Sequence, residues 1–571
     1  MVVSIGGGAT SLLACDAESG ASPDGDTQSG DTSAPEPGLT RYYRDIAPLL
    51  AKHCTSCHAP GQAGPFRMDT LEDARKFAEL GLGAMQVGLM PPWMPDRACR
   101  TYADERGVSA DEIALFARWI DEGKPAGDPA ELQALPTPPA WAPNLILPIS
   151  EAHLPSGELE DDYRCFVLGD ASLFPADAYL SASQVAPGSS QVHHVLVYAI
   201  APERADDVAT ADAADPGPGY PCFGGPVPSG AESDLTGFFA GGPVPDLTLP
   251  TQIGSWVPGS QPRRYPEGTA IRIRAGSVLV AQVHYNLSEG RPLPDSSRIE
   301  MVVRERAPTT LVDVRPLAVR SLDIPAGEAE AVNVGWFPYF GDAPLTLSTV
   351  AGHMHLLGHH FLAEVVRRDA TTECALSIPR WDFHWQQSYT LREADRIILN
   401  DGDGVRVTCE YDNSASNQPI VDGVRVAPRD VAWGEGTRDE MCILYYSALK
   451  PFTPVPPPVS SLCELAAPCV ARCEGPSLDC LMTCPEASPS CQLCALRAGL
   501  TCSNFGCVGA LRAAGDCLGR CLGAAVMLGS NTGRCLESEC GGLYADVLAC
   551  MDAPLPEGGC EAELDACGVA F

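Results

Sequence analysis

Cys54-Thr-Ser-Cys57-His58 sets two thiols one turn apart, with an imidazole directly after the second. This is the spacing of a c-type heme attachment, in which both thiols add to heme vinyl groups and His58 becomes the proximal iron ligand. A redox dithiol or half of a zinc site would need other surroundings. No second CxxC lies nearby, and the flanking pattern is not βαβ. A second group of metal-binding types lies in the middle of the chain. Of the 11 histidines, five fall into three short motifs: His193-His194, His284 within Gln-Val-His-Tyr, and His353-Met-His355. Two residues apart on a strand, His353 and His355 share a face and can share a metal. His193 and His194 point apart on a regular strand, so convergence needs a bulge or a strand end. Each motif alone arises by chance. Their combination is harder to assign to chance.

These groups need elements to hold them. Tyr42–His53 reads as a helix leading into the thiol motif. Ala110–Glu122 reads as another, with Ile113, Phe116, Ala117 and Ile120 spaced by three and four, a Ser109/Glu112 capping box and Gly123 after its end. From about 145 to 450 the chain shows short β-rich runs between Pro/Gly/Asp turns, such as 191–200 and 271–283. Alternation is visible in Val405/Val407/Cys409 and in Trp381/Phe383/Trp385, so β-sandwiches are expected. Pro451–Pro458 reads as a stiff linker. Sixteen of the 25 cysteines then fall between Cys463 and Cys567. Cys469/Cys473, Cys480/Cys484 and Cys517/Cys521 stand four apart on helical turns, which favours eight disulfides stapling a small helical unit over a metal site.

The first segment resembles small cytochrome c domains throughout its length. That resemblance implies a methionine on the far side of the iron. Met90, in Leu89-Met90-Pro91-Pro92-Trp93-Met94, fits the family pattern best; Met94 is the alternative, and His53 and Met85 fit less well. Roughly 150–450 resembles the type II copper, ascorbate-dependent monooxygenases, the family of peptidylglycine α-hydroxylating monooxygenase and dopamine β-monooxygenase. The resemblance implies one copper on His193, His194 and His284, and a second on His353, His355 and Met441 of Asp439-Glu440-Met441-Cys442. It also implies two jelly-roll domains facing across a cleft, Gln282 and Tyr445 near the coppers, and a Cys409–Cys442 disulfide. Cys165, Cys222, Cys374 and Cys99 are left as candidates for further pairing. In the peptide-processing members an arginine stands where Ala351 stands here, and Ile443 replaces a polar residue, so peptide amidation is not expected. A Pro/Gly-rich insertion at about 203–265 could reshape the cleft, and His359-His360 reads as hydrogen-bonding support.

The expected organisation is therefore a leader and flexible linker (1–40), an α-helical cytochrome c-like unit (41–130), two antiparallel β-sandwich copper units (145–305 and 306–450), a Pro-rich linker (451–462) and a disulfide-rich helical tail (463–571). With 73 acidic and 38 basic residues, a net charge of −35 excludes nucleic acid as a default partner. The cysteine density calls for an oxidising compartment, hence export to a periplasm or cell surface. Leu12-Leu13-Ala14-Cys15 resembles a bacterial lipoprotein processing box, with Cys15 as the lipid site, although no Lys or Arg precedes Arg41. The function expected is hydroxylation of a C–H bond in a small organic substrate with O2. An ascorbate-like reductant or redox protein would be the donor, and heme c would pass electrons to the first copper. The rival is an exported, non-catalytic copper/heme electron-transfer or copper-binding protein.

Overall fold

A computed structural model describes residues 38–132 except 61–63 and 65, residues 141–227 except 150–151, 157–160 and 223–224, and residues 250–452 except 259, 288–290 and 422–423. In the tail it describes 484, 491–492 and 514–551 except 529. The expected lipid site Cys15, the linker at 453–462 and most of the tail cysteines lie outside these residues.

The chain begins with a helical unit. A π-helical turn, Tyr42–Ile46, runs into the helix Ala47–His53, followed by Leu71–Gln86 and Ala110–Asp121. The last of these starts with the expected capping box, in which Ser109 and Glu112 each bond the other's backbone N–H. Ile46, Leu50, Ala74, Phe116 and Trp119 close its small core.

Two β-sandwiches follow. In the first, a five-stranded sheet (order 220–221, 161–169, 278–286, 192–200, 251–256) packs on the strands 145–148, 298–304, 178–186 and 269–273. Leu180, Val195, Val197, Val283 and Met301 fill the space between. In the second, a four-stranded sheet (331–338, 404–411, 358–366, 372–378) packs on 310–318, 443–451, 345–353 and 389–390 around Leu317, Val350, Phe361, Val407 and Leu444. The two sandwiches share a sheet. A short parallel pairing, Thr310 with Thr269 and Leu311 with Ala270, joins their outer layers into ten strands. Val312, from the strand 310–318, belongs to the first sandwich's core, so the two sandwiches share packing as well as backbone hydrogen bonding.

The helical unit does not stand apart. Cys99 is disulfide-bonded to Cys374. Tyr102 Oη donates to the Ala375 carbonyl at 3.1 Å, and the Asp96 amide donates to the Ser377 carbonyl at 2.8 Å. Trp93 and Met94 pack against the second sandwich's core. Met94 is thus turned to the β-sandwich, and Met90 is half-buried just past the second helix. His53 is committed elsewhere, with Nε2 on Glu112 and Nδ1 on the Arg106 carbonyl.

In the tail, Cys517 and Cys521 lie on the helix Gly515–Leu528 and bond to Cys540 and Cys535 of the helix Thr532–Cys540. The four-residue spacing staples one helix to the next. Leu528 reaches the second sandwich's core, and the Asn531 amide donates to the Phe340 carbonyl at 2.6 Å.

Two expectations are corrected here. Trp381, Phe383 and Trp385 are not on a strand, because residues 379–388 run as loop and turn after Pro379. His355 lies just beyond the strand Leu345–His353, so the two imidazoles of the HxH motif are not both on regular strand.

Candidate metal centres

Strand alternation aims the first histidine group. On Val192–Ile200, Val195 and Val197 enter the core while His194, Leu196 and Tyr198 face a cavity on the opposite side of the sheet. On the neighbouring strand Val278–Asn286, Gln282 lines the same cavity, and His284, two residues on, shares its face of the strand. His194 pairs directly with His284, and the register shifts between Val192 and His194. That irregularity is what lets two consecutive histidines converge. The Nδ1 atoms of His193 and His194 are 3.3 Å apart, and those of His194 and His284 are 3.4 Å apart. All three offer ligand atoms within 4.8 Å of one another.

Burial favours the neutral form of His193 and His194. Desolvation, reinforced by the neighbouring imidazoles, lowers His193 to about 3 and holds His194 well below its ordinary value. His284 Nε2 meets Asp161 Oδ1 at 2.8 Å, which fixes its tautomer and leaves Nδ1 for a metal. Asp161 also accepts from Thr437 Oγ1 at 2.6 Å and from its amide at 3.1 Å. Burial pushes the Asp161 carboxyl up, but the bonds from His284 and Thr437 outweigh it and hold the group below the usual carboxylate range. Tyr163 stacks on His284 with centroids 4.1 Å apart.

The second group is built on the second sandwich's half of the shared sheet. His353, the last residue of its strand, pairs with Ile443. Its Nδ1 is bonded to Gln386 Oε1. His355 Nδ1 meets the Asp439 carbonyl at 3.0 Å, and the two rings lie perpendicular with centroids 5.1 Å apart. In both rings Nε2 is the nitrogen left for a metal. Burial lowers His353 to about 4 and His355 to about 3. Met441 is 5 % exposed, and its carbonyl accepts from Tyr411 Oη at 2.9 Å. The next residue, Cys442, is disulfide-bonded to Cys409, the pairing implied above; Cys165–Cys222 is bonded as well.

Glu440, with no exposed surface, anchors the turn of the HxH motif: its carboxylate accepts from the His355 amide at 2.8 Å and the Leu357 amide at 2.7 Å. Burial raises this carboxyl to about 8. Gln282 Nε2 donates to the Cys222 carbonyl, and Tyr445 lies 6.3 Å from His353, ring to ring.

One cavity of about 250 Å³ is lined by His194, Gln282, His353, His355, Met441 and Tyr445. His194, which touches His193 and His284, therefore opens on the same space as His353, His355 and Met441. Asp161, Thr437, Phe383, Gln386 and Glu440 act here without having been assigned roles from sequence. Only Glu440 carried a signal, its place in Asp-Glu-Met-Cys. His359 and His360 are not part of the cavity: His360 pairs with Glu410 at 3.1 Å, and the His359 carbonyl accepts from the Trp381 amide.

At the helical unit, Cys54 and Cys57 are both free, and among the described residues they are the only free cysteines. Burial pushes the Cys54 thiol up to about 12. His58 Nδ1 donates to the Phe66 carbonyl at 2.9 Å, which leaves Nε2 for iron. Two available thiols and an imidazole with its Nδ1 occupied fit covalent heme.

Residues 341–455 match the family model described as copper type II ascorbate-dependent monooxygenase, C-terminal domain. His353, His355 and Met441 lie inside the matched stretch. No curated protein matches the chain. Among solved structures, the chain is similar to the major capsid protein P2 of bacteriophage PM2, at 10% identity over 54% of this chain and 98% of that one, with a TM-score of 0.23. It is also similar to the infectious bursal disease virus VP2 subviral particle, at 9% identity over 55% and 82%, with a TM-score of 0.12. TM-scores this low bear no weight.

Proposed function

We propose that the chain is a copper-dependent monooxygenase that inserts one atom of O2 into a C–H bond of an organic substrate. The other oxygen atom leaves as water, and two electrons come from an ascorbate-type reductant. One observation carries this reading: His194, from a cluster of three histidines, and His353, His355 and the buried Met441, from a second group, line a single cavity. The family match over 341–455 supports it.

His193, His194 and His284 would hold one copper, and His353, His355 and Met441 the other. The first set suits storage of an electron; a thioether with two imidazoles favours Cu(I), the state that takes up oxygen. The protein's own contribution is positional. Asp161, Gln386 and the Asp439 carbonyl fix the imidazole tautomers, Glu440 holds the HxH turn, and Gln282 and Tyr445 shape the wall. We further propose that Cys54, Cys57 and His58 carry heme c, with Met90 opposite, as an electron source for the coppers. The disulfides in every unit after the first three helices support export, with Cys15 as a lipid site.

Copper content together with substrate-coupled oxygen uptake under reductant tests the main reading. Two coppers per chain and hydroxylated product are expected, and Met441→Ile is expected to abolish product. Unimpaired hydroxylation by that variant would remove the assignment of the oxygen-binding copper. Two coppers without coupled oxygen uptake would favour a non-catalytic carrier. Heme retained after denaturation, and lost in Cys54→Ser/Cys57→Ser, is the matching result for the helical unit.

A further inference from the structure

The cavity lined by His194, His353, His355 and Met441 adjoins a second of about 390 Å³, and the two share Arg263, Tyr265, Thr349, Gln386 and Ser447 in their walls. The outer cavity reverses the chain's charge balance. Against 38 basic and 73 acidic residues overall, four arginines (Arg106, Arg263, Arg264 and Arg396) and one acid, Asp104, line it. Asp104 is engaged by the amide and hydroxyl of Thr390. Arg396 Nε is buried without a hydrogen-bond partner.

Arg263 stands where the two cavities meet. Its Nη2 donates to the neutral hydroxyls of Thr349 at 3.1 Å and Ser447 at 3.4 Å, and its guanidinium lies over the Tyr265 ring at 5.5 Å. Among the described residues no carboxylate meets it. A guanidinium held by neutral oxygens and an aromatic face keeps its charge for an incoming anion, and its planar fork matches a carboxylate.

The distance to the reacting end follows from the strand. Thr349, Ala351 and His353 share one face of Leu345–His353. Four residues at about 3.3 Å each put the arginine's anchoring point about 13 Å from His353. The wall between them is largely apolar, made by Val314, Pro316, Ala351, Ile443 and Tyr445.

We propose that the substrate is a small organic acid, with its carboxylate on Arg263 and an apolar body reaching the His353/His355/Met441 end. This rests on the cavity being the substrate cleft. It adds the substrate class and names Arg263, from the 203–265 insertion, as the residue that selects it. The outer arginines draw the anion in.

The test is binding to the copper-loaded, full-length protein without reductant, by calorimetry. The probes are 6-phenylhexanoate, its primary amide and 6-phenylhexylamine. A blocked tripeptide acid, run beside them, separates a peptide terminus from a free acid as the source. The acid is expected to bind about tenfold or more tighter than the amide, as a charge-assisted pair would give, and the amine weakest. Arg263→Gln is expected to erase that preference, Arg263→Lys to keep part of it, and Arg304→Gln, at an exposed strand end, to leave it intact. Equal binding of acid and amide, or an acid preference that survives in Arg263→Gln, overturns the proposal. Copper counts on the same samples keep its failure distinct from failure of the monooxygenase reading.

Discussion

The Phe383 ring lies flat on the His193 imidazole, centroids 4.6 Å apart and planes 19° apart, and meets the His355 ring edge-on at 5.9 Å and 84°. A single phenyl group thus touches one histidine of each candidate copper set. It comes from the 379–388 loop and is 6 % exposed, so it fills space that water would otherwise enter. Excluding water suppresses loss of reactive species to side reactions. Phe383→Ala is therefore expected to keep two coppers per chain while product formed per oxygen consumed falls several-fold. Copper analysis with paired oxygen and product measurements checks this; unchanged coupling would show that the ring only packs.

Asp161 and Thr437 tie the same two sets through hydrogen bonds. Asp161 holds His284, and Thr437 sits two residues before Asp439, whose carbonyl orients His355. Removing a partner that orients a metal-bound imidazole typically weakens the metal by about 10–100-fold. Asp161→Asn is expected to weaken copper at the His193/His194/His284 set by that much, and Thr437→Val by less. Chelator competition reads both values. Equal copper affinity in Asp161→Asn would mean that Tyr163 stacking alone holds the ring.

What sequence revealed and what it concealed divide along the range of the interaction. The three histidine motifs stood out by residue type and local spacing, the ligand sets proposed from them came through the family resemblance, and the need for a bulge at His193-His194 followed from strand geometry alone. The Ser109/Glu112 cap was legible for the same reason. Asp161 was not: it stands 123 positions from the histidine it orients, and nothing local marks it. Arg263 reaches the cavity, and Phe383 the two histidine groups, only through the packing of two sandwiches. The aromatic alternation at 381–385 imitated a strand, but in this loop Trp381 packs on Phe361 while Phe383 meets His193 and His355. No local pattern marks the packing of Trp93 and Met94 on the second sandwich, where Trp93 meets Tyr389 with centroids 5.2 Å apart.

The Cys99–Cys374 bond, spanning 275 residues, fastens the helical unit to the second sandwich. Closing a long loop stabilises mainly by restricting the unfolded chain, typically by about 2–4 kcal/mol. The contacts beside it, Arg100 with Glu373 and Tyr102 with Ala375, remain without it. Cys99→Ser/Cys374→Ser is expected to lower stability by that order and to open 90–105 to proteases, with copper content unchanged. Resistance equal to the parent protein would show that the noncovalent contacts suffice.

Glu112 links the acid stability of the helical unit to its capping box. Its Oε2 accepts from the Ser109 amide at 2.8 Å, and its Oε1 accepts from Lys52 at 2.9 Å and His53 at 3.0 Å. Burial pushes this carboxyl up, but the Ser109 amide, His53 and Lys52 outweigh it and hold the group at about 2. An acid that ionises more readily folded than unfolded stabilises the fold wherever the unfolded group is also ionised. That stability is complete above about 4.5, the ordinary value, and drains away as pH falls through about 2. Hydrogen exchange of the Ala110–Asp121 amides, followed from pH 5 to pH 2 and corrected for intrinsic rates, should show protection falling as pH is lowered. Glu112→Gln should start less protected and show a flatter decline, because glutamine still accepts from Ser109 but carries no charge to lose. An equally steep decline in that variant would move the acid sensitivity to another carboxylate.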